Sequence, residues 1–183
     1  MKYREEDFEV HKAIKNFPYQ GVKKFANGWF HSSEGSWYEK QCSYIFNGNI
    51  IEIGSYEGLS LSYIKDTINN NKNKIYAVEK QLNKRLVKNC NEWGINLIQG
   101  TSLDSAKIFP DEFFDLIFID ASHFYKDVKE DILTWLPLLK TNGIIAGHDY
   151  DSNWMGVVKA VDELLPERKI KDRIWYVKKT KHF

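Results

Sequence analysis

With 183 residues, 43% hydrophobic and 28% charged, the chain has the size and make-up of one folded domain, not of a disordered or collagen-like protein. Its 26 basic and 25 acidic residues leave a formal charge of +1, so no global field recruits nucleic acid or an anionic membrane. Cys42 and Cys90 have neither CxxC nor zinc-ligand spacing, which supports neither a disulfide framework nor a zinc finger and points to a reducing cytoplasm.

The amino-terminal stretch MKYREEDFEVHK lacks the apolar core of a signal peptide, and no run approaches the roughly 18 apolar residues that span a bilayer. Two helices are expected before Gly48, over Glu5–Asn16 and Glu34–Phe46, separated by the glycine- and aromatic-containing segment Gly21–His31. Residues 1–46 read as a helical cap or lid and 47–183 as the core of a single domain. From Gly48 onward, short β-branched or aromatic runs alternate with amphipathic stretches, the pattern of a parallel sheet flanked by helices. Strands are expected at Asn49–Ile53, Lys74–Glu79, Ile95–Gly100, Phe114–Asp120 and Gly143–His148, with helices at Gly58–Asn70, Gln81–Trp93, Ser102–Phe109, Tyr125–Leu139 and Met155–Leu165. Right-handed crossovers place those helices on both faces. After Pro166, the stretch Glu167–Arg173 runs straight into the alternating strand Ile174–Val177, an antiparallel edge hairpin. The basic run Arg168–Arg173 reads as a solvated turn, because it lacks the aromatic interleaving of an RNA groove.

The first strand ends in Glu52-Ile53-Gly54-Ser55-Tyr56-Glu57-Gly58. A strand, a glycine turn and a helix start make a cradle in which backbone approaches a ligand closely. GxGxxG spacing is absent and position 52 is acidic, so a pyrophosphate would meet a carboxylate and a dinucleotide is disfavoured. A cationic or hydroxyl-rich ligand fits better. Glu79, at the end of the second strand, is placed to accept both hydroxyls of a ribose.

Taken with the Asp-ended fourth strand Phe114–Asp120, these residues resemble the class I S-adenosylmethionine-dependent methyltransferases, over about Gly35–Val177. Phe118-Ile119-Asp120-Ala121-Ser122-His123, then Gly143-Ile144-Ile145-Ala146-Gly147-His148-Asp149-Tyr150 and Gly156-Val157, are similar to the branch holding small-molecule and sugar O-methyltransferases. The resemblance implies an α/β, Rossmann-like doubly wound sheet of seven mostly parallel strands with one antiparallel edge strand. It also implies that Glu52, Gly54 and Ser55, with Gly58 in the turn, line the methionine moiety, that Glu79 binds the ribose, and that Thr101, Ser102 and Leu103 flank the adenine. Asp120 counts among the donor-binding residues. The acceptor is expected to be a small-molecule hydroxyl, without nucleic acid or membrane as a partner; a homo-oligomer is compatible with this.

Methyl transfer from a sulfonium is mainly a positioning task, but an alcohol acceptor must lose a proton, to a base, with help from a metal, or both. Asp120 and Asp149 end neighbouring strands, so two hard oxygen ligands could converge on magnesium or manganese. His123 stands three residues after Asp120, in reach of a metal-bound hydroxyl; His148 flanks the same mouth as a further catalytic candidate. Catechol-type relatives carry a further ligand after the second Asp, where this chain has Tyr150, so Asp151, Glu34 or water is left to complete the set. Two other readings stand beside this one. A metal-independent methyltransferase of nitrogen or of a macromolecule lacks its Asn/Asp-Pro-Pro-Tyr motif here; an inactive donor-binding accessory protein would need no base.

Overall fold

Ile50, Ile51 and Ile53 of the first strand are all buried, as a strand covered on both faces requires. The computed structural model describes residues 26–180; the expected helix over Glu5–Asn16, and Gly21 and Phe25 of the cap, lie outside the described residues. The strands are β1 Asn49–Ile53, β2 Lys74–Glu79, β3 Asn96–Gln99, β4 Phe114–Ile119, β5 Leu139–Gly147, β6 Lys169–Lys171 and β7 Ile174–Lys178. They form one seven-stranded sheet in the order β3-β2-β1-β4-β5-β7-β6. Strands β1 to β5 pair in parallel, while β7 runs antiparallel to both β5 and β6. The reversed strand is thus β7, one place in from the edge that β6 closes. Chain order reverses direction between β1 and β4, the switch point at which open α/β sheets bind ligands beyond the strand carboxyl ends.

Helices cover both faces. One face buries Ile51, Ile53, Ile117 and Ile119 against α6 (Tyr125–Trp135) and α7 (Met155–Leu164). The other buries Ile50, Ile75, Leu116 and Phe118 against Tyr38 and Cys42 of α1 (Ser32–Ser43), Leu61 and Ile64 of α2 (Leu61–Ile64), and Leu86 and Cys90 of α4 (Lys84–Trp93). Both cysteines are free and buried. The helix expected over Gly58–Asn70 is broken into α2 and α3 (Thr67–Asn71), where the Thr67 hydroxyl donates to the Ile64 carbonyl and Ile68 N donates to Lys65 O in place of it. The helix expected to reach Leu139 stops at Trp135; Pro137 supplies no N–H, a 3₁₀ turn covers Leu136–Leu138, and β5 starts four residues earlier than expected. A shorter helix α5 (Ser102–Ala106) follows β3. No helix of the described residues is long and apolar enough to cross a membrane.

Candidate active site

The turn after β1 is fixed by its glycines. Gly54 has φ +86°, and a Cβ there would lie 2.2 Å from the Asp120 carbonyl oxygen and 2.7 Å from Ala121 Cα. Only glycine permits both that conformation and that approach. The obstacle is the loop after β4, so the β1 turn and the β4 loop touch at the switch point.

Glu52 reaches into the same region with no exposed surface. Its Oε1 accepts from the Ser60 hydroxyl at 2.8 Å, whereas Oε2 has no partner. Burial pushes its carboxyl up to about 8, helped by the negative charges of Asp120 and Glu79 and opposed by the Ser60 and Ser55 hydroxyls. Ser55 Oγ and the Tyr38 hydroxyl, both beside Glu52, are also buried without an aligned hydrogen bond. Unmet buried polar groups are costly unless a ligand meets them. Glu79 ends β2 with Oε2 accepting from Tyr56 N at 2.9 Å and Oε1 from Gln81 N at 3.0 Å, each oxygen keeping a further lone pair. Of the expected adenine group, Thr101 caps α5 with its hydroxyl, accepting from Asp104 N at 3.1 Å. Ser102 turns inward to donate to buried Asp131 while accepting from Trp135 Nε1 at 2.8 Å. Leu103 is left exposed.

On the other side of Gly54, one ligating atom each from Asp120, His123 and Asp149 lies within 4.8 Å of the others. A cavity of about 10 Å³ adjoins these three residues and His148, about the room one water needs. His123 Nε2 is 2.7 Å from Asp149 Oδ2, and its ring stacks on Trp154 with centroids 3.8 Å apart and planes 19° apart. Asp149 has φ +61°, a conformation that Asp tolerates better than most residues. Burial would raise its carboxyl, but His148 and His123 hold it well below the usual range. Burial drives Asp120 upward, against the pull of His148.

His148 does not open on the mouth: its side chain is 2% exposed. Nδ1 lies 3.3 Å from Asp149 Oδ1 and 3.7 Å from Asp120 Oδ1. Nε2 lies 3.2 Å from Glu34 Oε2 without the alignment of a hydrogen bond. Burial opposes its charge, yet Asp120 and Asp149 raise its pKa to about 10. Glu34 is 1% exposed and is placed by the α1 cap, where Oε2 accepts from His31 N at 2.6 Å. Despite burial, His148 and Arg173 lower it to about 2. Glu34, expected as one way to complete the metal-ligand set, is thus held among His31, His148 and Arg173.

Arg173 is a site residue that the sequence did not suggest. Instead of lying in a solvated turn, its guanidinium donates to Glu34 Oε1 at 3.1 Å from Nε, and to Glu34 Oε2 and the Trp29 carbonyl at 3.3 and 3.2 Å from Nη2. Its Nη1 is 3.5 Å from Asp149 Oδ1. Segment 26–31 crosses between the two halves: Asn27 N donates to Glu57 Oε2 at 2.8 Å, Trp29 packs on Tyr56 with centroids 5.4 Å apart, and Phe30 is buried against His148 and Phe118. Trp37 packs on Tyr176, away from the mouth.

The sequence profile of a methyltransferase domain matches residues 51–150. No curated protein matches the chain. Among solved structures, the O-methyltransferase NovP superposes with TM-score 0.71 at 10% identity, covering 84% of this chain and 82% of NovP. CalS11, a TDP-rhamnose 3'-O-methyltransferase of calicheamicin biosynthesis, gives 0.65 at 14% identity, covering 97% and 96%. MycE, a methyltransferase of the mycinamycin pathway in complex with Mg and SAH, gives 0.61 at 15% identity, covering 84% of this chain and 51% of MycE. At such identities the likeness is one of fold.

Proposed function

The chain belongs to the methyltransferase family, and we propose that it moves a methyl group from S-adenosylmethionine to a hydroxyl of a small molecule, a sugar or a phenol. The observation that carries this reading is the contact of the Gly54 turn with the Asp120 loop, which brings the residues read as donor-binding beside those read as activating the acceptor. NovP and CalS11, both O-methyltransferases, and MycE with Mg and SAH share the fold.

On the donor side, the unpartnered Glu52 Oε2 and Ser55 Oγ fit an ammonium and a carboxylate, Gly54 and Gly58 give backbone access, and Glu79 has lone pairs for two ribose hydroxyls. Thr101 and Ser102 have their hydroxyls engaged, so backbone of 101–103 and the Leu103 side chain flank the adenine, with Asp120 at the sulfonium end. When bound, the sulfonium supplies an electrophilic methyl group and becomes a neutral thioether.

On the acceptor side, His123 is the base. With its Nε2–H donating a hydrogen bond to Asp149, Nδ1 is the nitrogen left to take the hydroxyl proton. Trp154 fixes the ring plane. His148 and Asp120 act around it, His148 only through the carboxylates it touches. Asp120 and Asp149 would hold magnesium or manganese, which lowers the pKa of a coordinated hydroxyl. Residues 26–46 cap the site.

Calorimetry with SAH, followed by methyl-transfer assays on a catechol and a nucleotide sugar with chelator or added magnesium, tests the reading. SAH should bind without added metal, and turnover should need it. His123→Ala should cut turnover by about 10²- to 10⁴-fold with SAH affinity intact. A folded protein that fails to bind SAH would end this assignment.

A further inference from the structure

Arg173 joins the capping segment, α1 and the acceptor cluster. Its carbonyl accepts from Tyr150 N at 2.9 Å, so backbone and guanidinium both face the turn after β5. The placement follows from register: antiparallel pairing sets Gly147 beside Trp175 and Ala146 beside Tyr176, and continuing it brings residue 173 opposite Asp149. Guanidinium stays charged at any working pH. Its side chain is 30% exposed, against 1% for Glu34 and 11% for Asp149.

We propose that Arg173 is a resident counter-cation of the acceptor site, sharing Asp149 with any divalent ion so that the ion is held weakly and exchanges freely. The inference rests on the reading of Asp120 and Asp149 as a cation site. A divalent ion on Asp149 would stand a few ångströms from the guanidinium, and repulsion at that range in a partly buried site lowers affinity. Asp149 does not depend on Arg173 for its place, because His123 Nε2 at 2.7 Å and His148 Nδ1 at 3.3 Å hold the same carboxylate. Loss of the arginine therefore removes repulsion more than it removes order. With its charges balanced by its own residues, the site is assembled before any ion arrives, and the ion acts as a dissociable activator.

Electron paramagnetic resonance titration with Mn²⁺ on wild type, Arg173→Met and Arg173→Lys, with SAH affinity measured on each, tests this. Arg173→Met should bind Mn²⁺ about tenfold tighter or more, Arg173→Lys should return to the wild-type value, and SAH affinity should change less than about twofold, since the donor contacts lie apart. Tighter binding in Arg173→Met where wild type shows none supports the proposal equally. Unchanged or weaker binding in Arg173→Met, beside measurable wild-type binding, overturns the counter-cation role and leaves the metal reading standing. Absence of Mn²⁺ binding from all three overturns both. Should Arg173→Met fail to fold, Arg173→Gln keeps a donor for Glu34 without the charge and carries the same expectation of tighter binding.

Discussion

Replacing Glu52 by Gln should make the free protein more stable and a poorer binder of donor. The carboxyl is fully buried, accepts one hydroxyl at Oε1 and leaves Oε2 unmet, and its pKa of about 8 lies above the ordinary 4.5. A carboxyl raised on folding contributes stability below its unfolded pKa, and this is lost as pH rises toward the folded value, because the unfolded chain gives up its proton first. At pH 7 the loss is about 1.36 × (7 − 4.5), or roughly 3 kcal/mol. Gln has the same shape and no proton to lose. On that scale Glu52→Gln should raise the melting temperature at pH 7 by about 6 to 12 °C, and the gain should vanish near pH 4. Donor binding moves the other way, since a bond to a charged group is worth about 1.5 to 3 kcal/mol, which predicts roughly 10- to 150-fold weaker SAH. Melting curves from pH 4 to 8 and calorimetry with SAH read both effects. A variant that is no more stable at pH 7 would refute the burial argument. A variant that binds SAH like wild type would remove Glu52 from the donor site.

Glu79→Ala should weaken SAH by about 1.5 to 3 kcal/mol and expose the Tyr56 and Gln81 amides to exchange, because its two oxygens hold both; unchanged affinity by titration would remove the ribose role. Asp131, raised by burial to about 6 against the Ser102 bond, follows the same sign rule. Asp131→Asn should be about 2 to 3 kcal/mol more stable than wild type at pH 7 and no better near pH 4, as chemical denaturation at both pH values would show. Segment 26–31 should behave as a fixed cap, not a lid, since Phe30 is 2% exposed and Asn27 N is bonded to Glu57. Hydrogen exchange should show added protection at 54–58 on SAH binding and little at 26–31; the reverse pattern would make the segment a gate.

The sheet was legible because its signal is local. Runs such as Ile50-Ile51-Glu52-Ile53 and Phe114–Ile119 are buried on both faces and need β-branched or aromatic side chains at almost every place, so β1, β2 and β4 lie where the sequence sets them, to within a residue. What the sequence did not show were decisions made by single side chains. Helix α2 stops where the Thr67 hydroxyl takes the Ile64 carbonyl and Ile68 N turns to Lys65 O instead, and nothing in a hydrophobic pattern registers such a bond.

The same division runs through the site. Gly54, Asp120, His123 and Asp149 follow strand ends, and strand ends at a switch point are where a parallel sheet delivers side chains to a ligand; the meeting of Asp120, His123 and Asp149 within 4.8 Å was therefore foreseeable. Glu34 and Arg173 come from a helix and a hairpin far off in sequence; in the sequence Glu34 is only one way to complete a ligand set, and Arg173, the end of a basic run, looks like a solvated charge. Yet the hairpin reading already contained the Arg173 placement. Once β7 is reversed against β5, its first residues must lie where β5 ends, and counting back from the pair Gly147 and Trp175 reaches residue 173 beside Asp149. A basic residue just before a reversed strand at the carboxyl edge of a parallel sheet thus faces the site by topology alone, and its charge bears on whatever cation the neighbouring carboxylates hold.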